Sequence, residues 1–104
     1  MVRWTSIARE DLKAIHDYIA RDSSLYAKKV AQEIVEKSEK LNIFPKIGRI
    51  VPEITNSNIR EIIIYSYRLI YEIFSDRIEI LALIHTKRKF SKLKINKTKS
   101  SRNL

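Results

Sequence analysis

A chain of 104 residues suits one domain with a single modest core, and the absence of cysteine excludes disulfides and thiolate metal sites and fits a reducing compartment. With only two histidines, no apolar run near the ~20 residues of a membrane helix and no signal-peptide pattern, we expect a soluble cytoplasmic protein that needs no metal, cofactor or membrane. The formal net charge of +9 is concentrated at one end: residues 1–85 hold 13 Lys and Arg against all 12 acids, whereas residues 86–104 hold 8 cations and no acid.

Val2 to Thr5 alternates apolar and polar residues, as a half-buried strand does. Ser6 then has the character of a helix N-cap, with Glu10 and Asp11 early in the helix where its dipole favours acids. Ala8, Leu12, Ile15 and Ile19 form one helical stripe, which predicts a first helix from about Ile7 to Arg21. Asp22, Ser23 and Ser24 supply a second capping signal. The next stripe uses Ala27, Val30, Ala31, Ile34 and Leu41 and is ended by Phe44-Pro45. So short a connection predicts an antiparallel helical hairpin.

Pro45 to Asn58 holds both prolines and the only glycine, so it is expected to be a loop from which Lys46, Arg49 and Glu53 can point at a ligand. Three β-rich runs follow, Ile59–Tyr65, Tyr67–Phe74 and Ile78–His85, and their short links require antiparallel pairing. The expected fold is α+β, a helical hairpin laid across one face of an antiparallel sheet, as one domain over residues 1–90. Arg60, Arg68, His85 and Arg88 fall in or beside these apolar strands, where cations seldom sit without a polar partner or a water-facing side; a sheet face that binds a phosphodiester would account for them. Residues 91–104 continue as a polybasic tail suited to nucleic acid, an acidic protein or an anionic surface, with simple solvation as the alternative.

The short strand with Trp4, the run AREDLKAIHDYIARDS, the loop FPKIGRIVPE, the hairpin REIIIYSYRLIYEI and the strand IEILALIHTKR together resemble the RelE/ParE superfamily of type II toxin–antitoxin toxins over about residues 2–90. The resemblance implies two N-terminal helices against an antiparallel sheet and a cognate antitoxin that wraps and neutralises the toxin. It also implies one of two targets: the ribosome and its mRNA, which RelE-like toxins cleave in the A site, or DNA gyrase, which ParE-like toxins poison without nuclease chemistry. A third reading is a non-toxic basic nucleic-acid-binding module.

Ribosome-dependent endoribonuclease activity, the reading towards which the residues lean, needs a base, an acid and cations for the charged phosphorane. By resemblance Arg68 and Arg88 would bind the scissile phosphate. His85 would serve as acid or base, or else be a strand-end histidine bonded to backbone, and Glu53 would serve as base if its loop folds over the sheet. Lys46, Arg49, Arg60, Lys87 and Lys89 would contact RNA, with a salt bridge to Glu53 or Glu61 as the alternative for Arg60. The ribonuclease pattern is incomplete: Arg60-Glu61 stands where a lysine pair is common, and no tyrosine follows Tyr71, Phe90 closing the motif. For a protein target, Tyr65, Tyr67 and the helical hairpin supply the contact surface.

Overall fold

The computed structural model describes residues 1–90, so the expected polybasic tail at 91–104 lies outside the described residues. The elements in chain order are β1 (Val2–Trp4), α1 (Ser6–Ala20), α2 (Ser24–Glu39), a 3₁₀ turn (Lys40–Asn42), β2 (Arg49–Ile50), β3 (Ile59–Ile64), β4 (Tyr67–Ile73) and β5 (Ile78–His85). Two helices thus pack on a five-stranded mixed sheet with the order β1-β5-β4-β3-β2.

The α1 cap is Thr5, one residue before the expected Ser6. Its Oγ1 accepts from the Ala8 backbone N–H at 3.1 Å and donates to the Ile80 carbonyl at 2.9 Å, so one hydroxyl both starts the helix and ties it to β5. Ser23 caps α2 by accepting from the Tyr26 N–H at 3.1 Å. Asp11 lies beyond the first turn, and its role is tertiary: Oδ2 accepts from the Leu83 backbone N–H at 3.1 Å, where β1 has ended and β5 would otherwise leave that donor uncovered.

The three long strands pair antiparallel as expected, but β1 runs parallel to β5, with Val2 opposite Ile78 and Trp4 opposite Ile80. Parallel pairing is possible because everything between the two strands serves as the crossover. The polar segment after Pro45 also contributes β2, in which Arg49 lies opposite Glu61 and Ile50 opposite Arg60. Between β4 and β5, Ile70 pairs with Ala82 and Tyr71 with Ile80, which leaves Leu81 as the extra residue of a β-bulge.

Because of that bulge, Leu81 and Ala82 both point away from the helices, and the sheet is apolar on each side. Ala8, Val30, Ile34, Leu41, Ile64, Leu69, Tyr71, Ile80 and Leu83 form the core under the helical hairpin. On the other side Ile59, Ile70, Leu81, Ala82 and Ile84 are covered by Val51 and Ile54 of the β2–β3 connection and by Phe90. The expected anion-binding sheet face would have to lie here, where Arg68 sits, but the middle of this face is filled by these residues.

Gly48 marks the closest approach of the β2 segment to the sheet. Its N–H donates to the Tyr71 hydroxyl at 3.0 Å, and that hydroxyl donates to the Pro45 carbonyl at 2.7 Å. A Cβ at position 48 would lie 2.5 Å from the Glu61 carbonyl oxygen and 2.7 Å from the Tyr71 hydroxyl oxygen, contacts that backbone on one side cannot yield. Gly48→Ala is therefore expected to destabilise the domain by about 2 kcal/mol, as overpacking does, measured by urea unfolding at unchanged m-value.

Candidate functional site

Arg68 sits on β4 between Ile63 of β3 and Ile84 of β5, on the face away from the helices, and is only 5% exposed. Glu61, two positions before Ile63, lies on the same face of β3 and is 1% exposed. Arg68 Nε donates to Glu61 Oε1 at 2.6 Å, while Nη1 and Nη2 meet the two oxygens of Glu53 at 2.7 and 2.8 Å. Nη1 also donates to the Arg88 carbonyl at 2.7 Å. At the flanks, Arg49 Nε donates to Glu61 Oε2 at 2.6 Å, and the Phe90 N–H donates to Glu53 Oε2 at 2.8 Å.

The outcome is an electrically balanced chain, Arg49–Glu61–Arg68–Glu53, that stitches β2, β3, β4, the β2–β3 connection and the segment after β5 together. The fork of a guanidinium matches a carboxylate with two parallel bonds, which is why arginine fills this position. Arg68 holds Glu53 well below the usual carboxylate range, at about 2, and the Phe90 N–H adds to the effect. The carboxylates in turn push the Arg68 guanidinium further up.

These contacts revise several expected roles. Arg68 does not present a free guanidinium, since four of its N–H donors already meet protein acceptors. Glu53 does fold over the sheet, but as a partner of Arg68 that stays ionised near neutrality, not as a base with affinity for a proton there. Arg60 pairs with neither Glu53 nor Glu61: its Nε and Nη1 donate to the carbonyls of Ser57 and Gly48, each at 2.9 Å, and so brace the loop around β2.

His85 is on the opposite face. It lies across from Tyr67 in the ladder, and the two rings meet edge to face at 6.0 Å, whereas the Arg68–Ile84 pair beside them faces the second core. The Lys87 N–H donates to His85 Nδ1 at 3.1 Å, so the neutral ring carries its proton on Nε2. Arg88 divides its roles, with the carbonyl held by Arg68 and the residue lining a groove of about 460 Å³ together with Asp11, Ile15, Tyr18, Tyr67 and His85. Lys46, Arg49, Lys87 and Lys89 are exposed. The structure thus brings Arg68, Glu53 and the Arg88 backbone together and places His85 on the far side of the sheet from them.

Sequence reading named Glu61 only as a possible partner of Arg60, and missed its role as the second partner of Arg68 and the sole partner of Arg49 in this network. An acid in an otherwise apolar strand, diagonal to an arginine on the same face of a hairpin, was the available signal. Among the described residues no group of three or more His, Asp and Glu side chains is placed to hold a metal ion, and no helix is long and apolar enough to cross a membrane.

A helical hairpin on one face of a mixed sheet, with an arginine–carboxylate network closing the other, defines an α+β protein of RelE/ParE-like architecture. A solved structure described as the chromosomal ParDE TA system from P. aeruginosa is similar, at 25% sequence identity and a TM-score of 0.67, with 81% of this chain and 92% of that chain covered. The model of the family described as the ParE toxin of the type II toxin–antitoxin system parDE matches residues 2–90, and the chain belongs to that family. It is therefore the toxin half of a type II toxin–antitoxin module, which implies a cognate antitoxin as its partner. No curated protein matches the chain.

Proposed function

We propose that this toxin acts in the cytoplasm by poisoning DNA gyrase, without nuclease chemistry of its own, and that its cognate antitoxin releases the block. The observation that carries the proposal is the closure of Arg68 by Glu53 and Glu61. Cleavage of mRNA would require that arginine to leave two carboxylates for a phosphate, and it would require an acid or base on the Arg68 side of the sheet, where Glu53 is held ionised and His85 is absent. Membership of the ParE family supports the same target, as the ParE-like branch of the resemblance is the one associated with gyrase.

The test is a supercoiling assay with purified gyrase and relaxed plasmid, run beside primer extension on a defined message in a purified translation system. The full-length toxin is expected to block supercoiling and leave the message intact. Ribosome-dependent cuts in the message, with supercoiling unaffected, would overturn the proposal and restore the ribosome and its mRNA as target.

A further inference from the structure

The second face of the sheet is closed by two segments that contain neither helix nor strand, residues 52–56 before β3 and residues 87–90 after β5. They bring Ile54 and Phe90 down beside Val51 onto a floor of Ile59, Ile70, Leu81, Ala82 and Ile84. Their roots are fixed by the sheet. The Val51 N–H donates to the Ile59 carbonyl at 3.1 Å, Arg60 Nε donates to the Ser57 carbonyl at 2.9 Å, and the Thr86 N–H donates to the Ser66 carbonyl at 2.8 Å.

Between those roots the segments are tied in another way. Some of their hydrogen bonds are local turns, from the Ile54 N–H to the Val51 carbonyl at 3.0 Å and from the Arg88 N–H to the His85 carbonyl at 2.9 Å. Among the described residues, the bonds that join the segments to one another and to the strand beneath all end on Arg68 or Glu53. They are the Arg68 fork to Glu53, Arg68 Nη1 to the Arg88 carbonyl, and the Phe90 N–H to Glu53 Oε2. One ion pair therefore holds both segments down, and breaking it frees both.

The free energy of a local opening is set by what the opening breaks. Lifting these segments breaks that ion pair, two further hydrogen bonds and the burial of Ile54 and Phe90, and it leaves the β3–β5 ladder and the core under the helices intact. Glu61 keeps Arg68 Nε throughout, so no buried acid is stranded. The helices have no such freedom, since Thr5 and Asp11 fasten α1 to β5.

We propose that the two segments form one latched cover, with the Arg68–Glu53 pair as its latch, and that the native domain lifts this cover as a unit without unfolding the rest. The open form presents the apolar strip of Ile59, Ile70, Leu81, Ala82 and Ile84 together with the freed Arg68 fork, a surface that the closed form hides. Glu53 is the end of the latch that solvent reaches, its side chain being 22% exposed against 6% for Arg68.

The chain has no cysteine, so a single thiol can report on each side of the sheet. Ala82→Cys places one beneath the cover and Ala8→Cys one beneath the helices, both alanines being fully buried. Labelling of full-length toxin by a small aromatic disulfide reagent is followed across a urea series, relative to each thiol in the unfolded chain, with and without Glu53→Gln or Ile34→Val. Position 82 is expected to label at least about tenfold faster than position 8 and with a shallower urea dependence, because its opening exposes less surface. Glu53→Gln is expected to speed both positions about a hundredfold, as the latch is broken in either open state. Ile34→Val, in the helix-side core, is expected to speed position 8 about fivefold and leave position 82 unchanged. Equal rates and equal urea dependence at the two positions would show that the cover opens only with the whole domain and would overturn the proposal. Local opening at position 82 that Glu53→Gln leaves unchanged would remove the Arg68–Glu53 pair as the latch. Glu53→Asp, which shortens the reach of the carboxylate, takes the place of Glu53→Gln if the latter does not fold.

Discussion

Replacing Arg68 by alanine is expected to lower the stability of the domain by about 4 kcal/mol, the scale set by removing one partner of a buried ion pair. The variant leaves Glu61 buried with only the Arg49 contact and leaves Glu53 facing the place from which a guanidinium has gone. The Arg88 carbonyl loses its donor as well, so the segment that carries Phe90 into the second core is freed at one of its two ties. For a domain of this size such a loss lowers the melting temperature by roughly 15–25 °C. Calorimetry of wild type and Arg68→Ala measures it directly. A variant that melts with wild type but has lost its activity would assign Arg68 to ligand binding and remove the structural role argued for it.

The second large effect concerns acid. Glu53 has an ordinary value of 4.5 that is lowered to about 2 in the folded chain. A depressed carboxylate contributes stability that is fully present above its unfolded value and is lost as the pH falls through its folded one. The window is therefore from about pH 4.5 down to about pH 2, with the unfolded chain binding more protons throughout it. With the Glu53 side chain 22% exposed, the shift corresponds to about 3 kcal/mol at neutral pH. Glu53→Gln is expected to remove most of this, so that wild type and variant differ by about 3 kcal/mol at pH 7 and converge towards pH 2. Urea unfolding at a series of pH values gives the difference. A gap that stays constant from pH 7 to pH 2 would show that Glu53 is not the titrating partner of Arg68.

Much of the architecture was legible in the sequence because its determinants are local. The stripe Ala8, Leu12, Ile15, Ile19 sets the buried face of α1, and the β3–β5 runs ended within a residue or so of their observed limits because turn residues separate them. Parallel pairing of β1 was not legible, since it depends on a partner more than seventy positions away and no turn residue announces it. The cap moved from Ser6 to Thr5 for a similar reason: either hydroxyl could cap the helix, but only Thr5 also reaches the Ile80 carbonyl.

The site was half legible. Arg68, Glu53 and Arg88 were singled out and do come together, but alternation along a strand reports which side chains share a face and not what lies over that face. The covering layer of Val51, Ile54 and Phe90 comes from segments without periodicity, and it turns an expected phosphate site into a balanced internal network. Buried cations in a strand therefore carried two meanings, a ligand outside or a carboxylate inside. Glu61, seven residues before Arg68 on the neighbouring strand, was the discriminating residue.

The pairing of β1 with β5 also governs when a newly made copy becomes complete. Until Ile78–His85 has been synthesised, the N-terminal strand has no neighbour, α1 has no strand for Thr5 and Asp11 to grip, and the sheet lacks its most buried member. A nascent chain can form its helical hairpin early, but it cannot assemble the finished sheet before Ile78–His85 has emerged. The N-terminal strand, made first, is therefore among the last elements to be seated, and the completed surface of the domain waits on β5.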